Sequence, residues 1–84
     1  MKFMIEIIAV FRSRSHAIDC HRILKALNVP CSLIATPKEA NVGCGLSVKL
    51  PYSAFAKAKQ VIARENYPSF SGYLKIVGGT FIKW

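Results

Sequence analysis

An α+β fold, two helices laid on one face of a four-stranded antiparallel sheet, is predicted by three features of the chain. Apolar residues switch from strand-like to helix-like spacing and back again, in the order β-α-β-β-α-β. The two helical stretches run out at Asn28 and Asn66, each two residues ahead of a proline that forbids continuation. The chain has 84 residues, enough for one hydrophobic core and too few for two.

Residues 3–11 are β-branched and aromatic-rich and interrupted only by Glu6, which predicts a central strand covered on at least one side. Ser13 or Ser15 could cap the helix that follows. There Ala17, Cys20, Leu24 and Leu27 recur at helical spacing and Ile18 and Ile23 widen the stripe, while Arg14, Asp19, Arg22 and Lys25 fall mostly on the other side. Residues 31–36 form a short second strand. A polar connector follows and ends in Gly43-Cys44-Gly45. Residues 45–50 alternate, with Leu46, Val48 and Leu50 on one face and the other side exposed. Pro51, Tyr52 and Ser53 start a second helix, with Phe55, Ala58 and Ile62 as its stripe. Residues 73–77 make the fourth strand, and Gly78-Gly79 ends it. Residues 1–77 are thus one domain, and 78–84 a C-terminal tail that Phe81 and Trp84 could fold back.

This order is the split βαβ, or ferredoxin-like, arrangement, with expected strand order 4-1-3-2. Tracing the chain up and down brings three connections to one edge of the sheet. They are the first strand-to-helix turn, the connector between the second and third strands, and the loop into the fourth strand. Cys44 is therefore expected close to Arg12, Ser13 and the start of the first helix.

Twelve Lys and Arg against four Asp and Glu give a formal charge of +8, which favours acidic partners of some kind. The basic residues are scattered, with no run that marks a tail or targeting signal. The longest apolar stretch is too short to span a bilayer, so no membrane association is expected. Three irregularly spaced cysteines argue against a disulfide framework and fit free thiols in a reducing, cytoplasmic setting.

The chemistry concentrates at Cys44. Glycine on both sides leaves the backbone free to bend and the sulfur uncovered by neighbouring side chains. A helix start carries partial positive charge, to which Arg12, Arg14, Lys38 and His16 add, and such surroundings favour the reactive thiolate. The structural alternative is a tight turn whose cysteine fills space. Cys20, on the apolar stripe, and Cys31, opening a strand, read as core fillers. His16 reads first as a capping or surface residue and second as a group that orients the thiol. His16, Cys20 and Cys44 lack the spacing and the fourth ligand of a metal centre, so no metal is expected. No cofactor is expected either, since the glycines precede a strand and lack dinucleotide spacing. Glu6, Asp19, Glu39 and Glu65 are the only acids, and no hydrolytic triad or carboxylate pair is evident.

Phe11-Arg12-Ser13 with His16-Ala17, followed by Pro37-Lys38-Glu39 and Cys44-Gly45, resembles a family of small bacterial selenium/sulfur carrier-like proteins. The likeness spans about residues 4–77; Asn41-Val42-Gly43 and the tail after Val77 depart from it. The resemblance implies a ferredoxin-like fold and a carrier role, with sulfur or selenium held as a persulfide-type group on Cys44. Arg12, Ser13, His16, Lys38, Gly43 and Gly45 would support it. The partners would be sulfur or selenium donor and acceptor proteins, and the protein would be an accessory without turnover of its own. The alternative is a non-catalytic binding module with Cys44 incidental. Its partner would be a protein, a second copy paired through the open sheet face, or RNA. RNA is the less expected of these, because the third strand offers no aromatic on its outer face.

Overall fold

β1 (Ile5–Phe11) is the middle strand of the protein, and the sequence makes it so by being apolar in both directions. The structure is a computed structural model that describes residues 5–40 and 45–83, Glu39 by its backbone alone. The expected strand residues Phe3 and Met4, and Trp84, lie outside them. Ile7, Ala9 and Phe11 face the helices while Ile8 and Val10 face the other way, and all five are buried. A strand that buries both faces belongs at the centre of a sheet.

α1 (Arg14–Ala26) starts at Ser13, whose Oγ accepts from the His16 N–H at 3.4 Å. It ends in a Schellman motif built on Asn28, which takes the left-handed φ of 62°. The Asn28 N–H donates to the Lys25 carbonyl at 3.0 Å and the Val29 N–H to that of Leu24 at 2.9 Å. Val29 is thereby turned into the core beside Leu24. Ala17, Cys20 and Leu24 form the buried stripe. Ile18 and Leu27 do not belong to it, being 49% and 45% exposed. Ile18 is a helical step of about 100° away from Ala17. Leu27 caps a helix that has already stopped.

β2 (Ser32–Ala35) leads to a 3-10 turn, Lys38–Ala40, and then to β3 (Leu46–Pro51). A second 3-10 turn, Tyr52–Ala54, runs into α2 (Phe55–Glu65), which buries Ala58, Val61 and Ile62 and ends at Asn66 with φ 53°. β4 (Phe70–Val77) begins three residues earlier than the alternation at 73–77 suggests. Its pairing with β1 steps from Val10–Gly72 to Phe11–Phe70, so Ser71 is the extra residue of a bulge beside Gly72 at φ 115°. A bulge reads as a turn in sequence because its glycine breaks the alternation.

The expectation of a four-stranded sheet in order 4-1-3-2 is corrected: among the described residues the sheet has five antiparallel strands, β5 (Thr80–Lys83) being added beside β4, and the order β2-β3-β1-β4-β5 read from its other edge keeps the 4-1-3-2 neighbours. Gly78 and Gly79 both adopt positive φ, 57° and 82°, which makes a two-residue hairpin turn. The chain therefore doubles back, and β5 (Thr80–Lys83) pairs with β4, Val77 opposite Thr80 and Leu74 opposite Lys83.

A second correction concerns the face away from the helices. There Ile8, Val10 and Leu74 form a small buried cluster roofed by Ile34, Ala40, Ile76 and Phe81. Ser47, expected on an exposed side of β3, is fully buried, and its Oγ lies 2.8 Å from that of Thr36. The connector after β2 and the extra strand supply this cover, and neither shows in the periodicity of β3. No helix among the described residues is long and apolar enough to cross a membrane.

Candidate functional site

Three chain segments meet where β1 gives way to α1. The Arg12 N–H donates to the Ser69 carbonyl at 3.0 Å, which ties the α2–β4 loop to this corner. The Thr36 N–H donates to the Gly45 carbonyl at 3.1 Å, closing the base of the β2–β3 connector. Gly45 itself rests against β1. A β-carbon placed on it would stand 3.2 Å from the Phe11 carbonyl oxygen and 3.8 Å from that of Arg12. Its φ is not left-handed, so what Gly45 provides here is close approach of two backbones.

Cys44 and Gly43 lie outside the described residues. Gly45, the next residue in the chain, is at the corner with Arg12 and Ser13. Ser13 caps α1, and its hydroxyl lies 2.9 Å from that of Ser15. His16 does more than cap: its Nδ1 is 2.6 Å from the Ser69 Oγ, and its ring lies tilted against Tyr67 with centroids 5.5 Å apart. Lys38 is exposed on the 3-10 turn.

Behind His16 runs a polar chain. The Tyr67 hydroxyl donates to Asp19 Oδ2 and the Arg22 guanidinium to Asp19 Oδ1, both at 2.7 Å. Hydrogen bonds from Arg22 and then Tyr67 hold the Asp19 carboxyl below the usual carboxylate range. Burial, and after it the Asp19 carboxylate, pushes the Tyr67 hydroxyl upward. The Tyr67 ring meets Phe11 edge-on at 5.4 Å, so this network is anchored in the core.

In front of His16 the corner opens into a pocket of about 350 Å³, bordered by Arg12, Ala40, Ser69, Phe70, Ser71 and Lys83. The bulge at Ser71 shapes one wall, and β5 brings Lys83 to another. Ser69, Ser71, Tyr67 and Lys83 carry no motif in the sequence. Phe81 and Trp84, apolar residues in the tail, are the sequence signal that the last residues could return.

The two described cysteines are poor nucleophiles. Burial, with a smaller contribution from Cys31, pushes the Cys20 thiol up to about 12. Burial also raises Cys31, whose Sγ lies 4.0 Å from the His21 carbonyl oxygen. Cys20 points into the helix–sheet core while His16 turns to Ser69, so these two do not converge. Among the described residues no cluster of three or more His, Cys, Asp or Glu is arranged to hold a metal ion.

No curated protein and no solved structure matches this chain. One family model does, over residues 6–73, which takes in β1, the corner, the connector with Cys44 and the first part of β4. On that match the chain belongs to the family described as "Putative Se/S carrier protein-like".

Proposed function

We propose that the protein is a sulfur or selenium carrier that holds its cargo on Cys44 as a persulfide or its selenium counterpart, between a donor and an acceptor protein. One observation carries this reading. Gly45, bonded to Cys44, rests on the Phe11 and Arg12 carbonyls, beside the start of α1. A helix start and a nearby guanidinium favour a thiolate over a thiol. The family match supports the carrier role, and desolvation raises the thiols of buried Cys20 and half-buried Cys31, which leaves Cys44 as the reactive candidate.

The transfer balances without an outside oxidant. The Cys44 thiolate attacks the terminal sulfur of a donor persulfide. A new S–S bond forms on Cys44 as the donor's S–S bond breaks, and the electron pair leaves on the donor thiolate. Delivery to an acceptor thiolate repeats the exchange in reverse.

The test is intact mass after incubation with a persulfide-loaded donor such as a cysteine desulfurase and its substrate. Wild-type chain should gain one sulfur atom, and Cys44→Ser should gain none. An unchanged wild-type mass across several donors, or equal loading of Cys44→Ser, would replace the carrier with a binding module in which Cys44 is incidental.

A further inference from the structure

The pocket at the corner draws its charge from opposite ends of the chain, Arg12 at the close of β1 and Lys83 at the close of β5. Among the described residues neither forms an ion pair; the described carboxylates of Asp19, Glu6 and Glu65 lie against Arg22, Lys49 and Arg64. Two cations bordering one concavity, in a chain of charge +8, raise the local positive potential and concentrate anions there. Hydroxyls border the same space. The Ser69 Oγ has its partner in His16 Nδ1, and the Ser71 Oγ donates to the Ser69 carbonyl at 3.3 Å. A hydroxyl has a single O–H to give and an oxyanion oxygen accepts, so Ser69 donates to the ligand when the His16 Nδ1–H donates to its Oγ, and Ser71 donates when its O–H swings off the Ser69 carbonyl.

We propose that this pocket binds a small tetrahedral oxyanion, with Arg12 and Lys83 supplying charge and Ser69 and Ser71 supplying direction. A guanidinium fork matches two oxygens of such an ion, while an ammonium acts as a point charge on the third side. The volume of about 350 Å³ sits near the lower end of small-molecule sites, about 300–1,000 Å³, and admits an ion with bridging waters. Lys83 falls beyond residues 6–73, so the second cation comes from outside the segment that the family model matches. The binding does not depend on Cys44. Two sources share this chemistry: a phosphate-type ion, and a thiosulfate-type ion that also carries a transferable sulfur.

The experiment is an amide NMR titration of the Cys44→Ser chain, which cannot take up sulfur there, with inorganic phosphate or thiosulfate against chloride at equal ionic strength. Saturable shifts centred on Arg12, Ser69, Ser71 and Lys83 are expected with at least one ion. Arg12→Gln and Lys83→Gln, both at exposed positions, should each weaken binding about tenfold, the size of one charge-assisted contact. Lys59→Gln, on α2, should leave it unchanged. Saturation by phosphate alone names a phosphoryl ligand, and by thiosulfate alone a sulfur oxyanion; either supports the site. Shifts that never saturate, that spread equally over Lys57 and Lys59, or that survive Lys83→Gln would overturn it. Saturable binding together with no sulfur uptake by wild-type Cys44 would overturn the carrier reading alone.

Discussion

Replacing Gly45 with alanine tests whether the connector is seated as tightly as the backbone contacts imply. The new β-carbon would lie 3.2 Å from the Phe11 carbonyl oxygen and 3.6 Å from the Thr36 Oγ1. Neither neighbour can retreat easily. Phe11 is fully buried with its ring against Tyr67 and Phe70, and Thr36 is held by Ser47 at 2.8 Å. Overpacking of this kind costs about 1–3 kcal/mol, and the loss of unfolded-state freedom on going from Gly to Ala returns about 0.4–1 kcal/mol. The two leave a net destabilisation of roughly 1 kcal/mol. With a urea dependence of about 1 kcal/mol per molar for a small domain, the unfolding midpoint should fall by about 1 M. The measurement is urea unfolding followed by circular dichroism, with sulfur loading of Cys44 on the folded variant alongside. A midpoint equal to or above wild type would mean the Phe11 carbonyl yields, and close approach would no longer explain the glycine.

Four further outcomes are expected. Phe81→Ala strips part of the cover from Ile8, Val10 and Leu74 and should cost about 2–4 kcal/mol in chemical denaturation, somewhat under a full core deletion because Phe81 is half-buried; a cost below about 0.5 kcal/mol would show that β5 is not part of the folded unit. Tyr67→Phe removes the hydroxyl donor to Asp19 and should cost about 1 kcal/mol while raising the Asp19 carboxyl, read by NMR titration. Cys20 sets an alkaline limit. Its folded value, about 12, lies above the ordinary thiol value of 9.0, so the unfolded chain loses the proton first and stability falls as pH rises from the lower value toward the higher. Cys20→Ala should flatten that slope by up to about 1.4 kcal/mol per pH unit, and an unchanged slope would refute the assignment. Alkylation near neutral pH should then mark Cys44 well ahead of Cys20 and Cys31.

How much of this protein can be read from its residues depends on the range over which each signal acts. Helix stops at Asn28 and Asn66, a serine cap at Ser13 or Ser15 and the central, apolar character of β1 are local matters of backbone conformation and side-chain spacing, and they are legible in the sequence; the burial of both faces of β1 is not. The meeting of Arg12 with the end of the connector follows from element order, and Gly45 reads in the sequence as a source of backbone freedom. The structure shows that its missing β-carbon matters through the contact with Phe11, a residue 34 positions earlier in the chain. The bulge at Ser71, the pairing of β5 as a fifth strand and the hydrogen bond between His16 and Ser69 are hidden for the same reason. Each depends on a partner far along the chain, and a pattern of apolar and polar residues records which face a side chain takes without recording what stands opposite. The sequence by itself determined two helices and a central strand. Only tertiary structure decided that the last strand folds back, covers Ile8 and Val10, and sets Lys83 across a pocket from Arg12, because strand pairing is chosen by contacts that exist only once the sheet has formed.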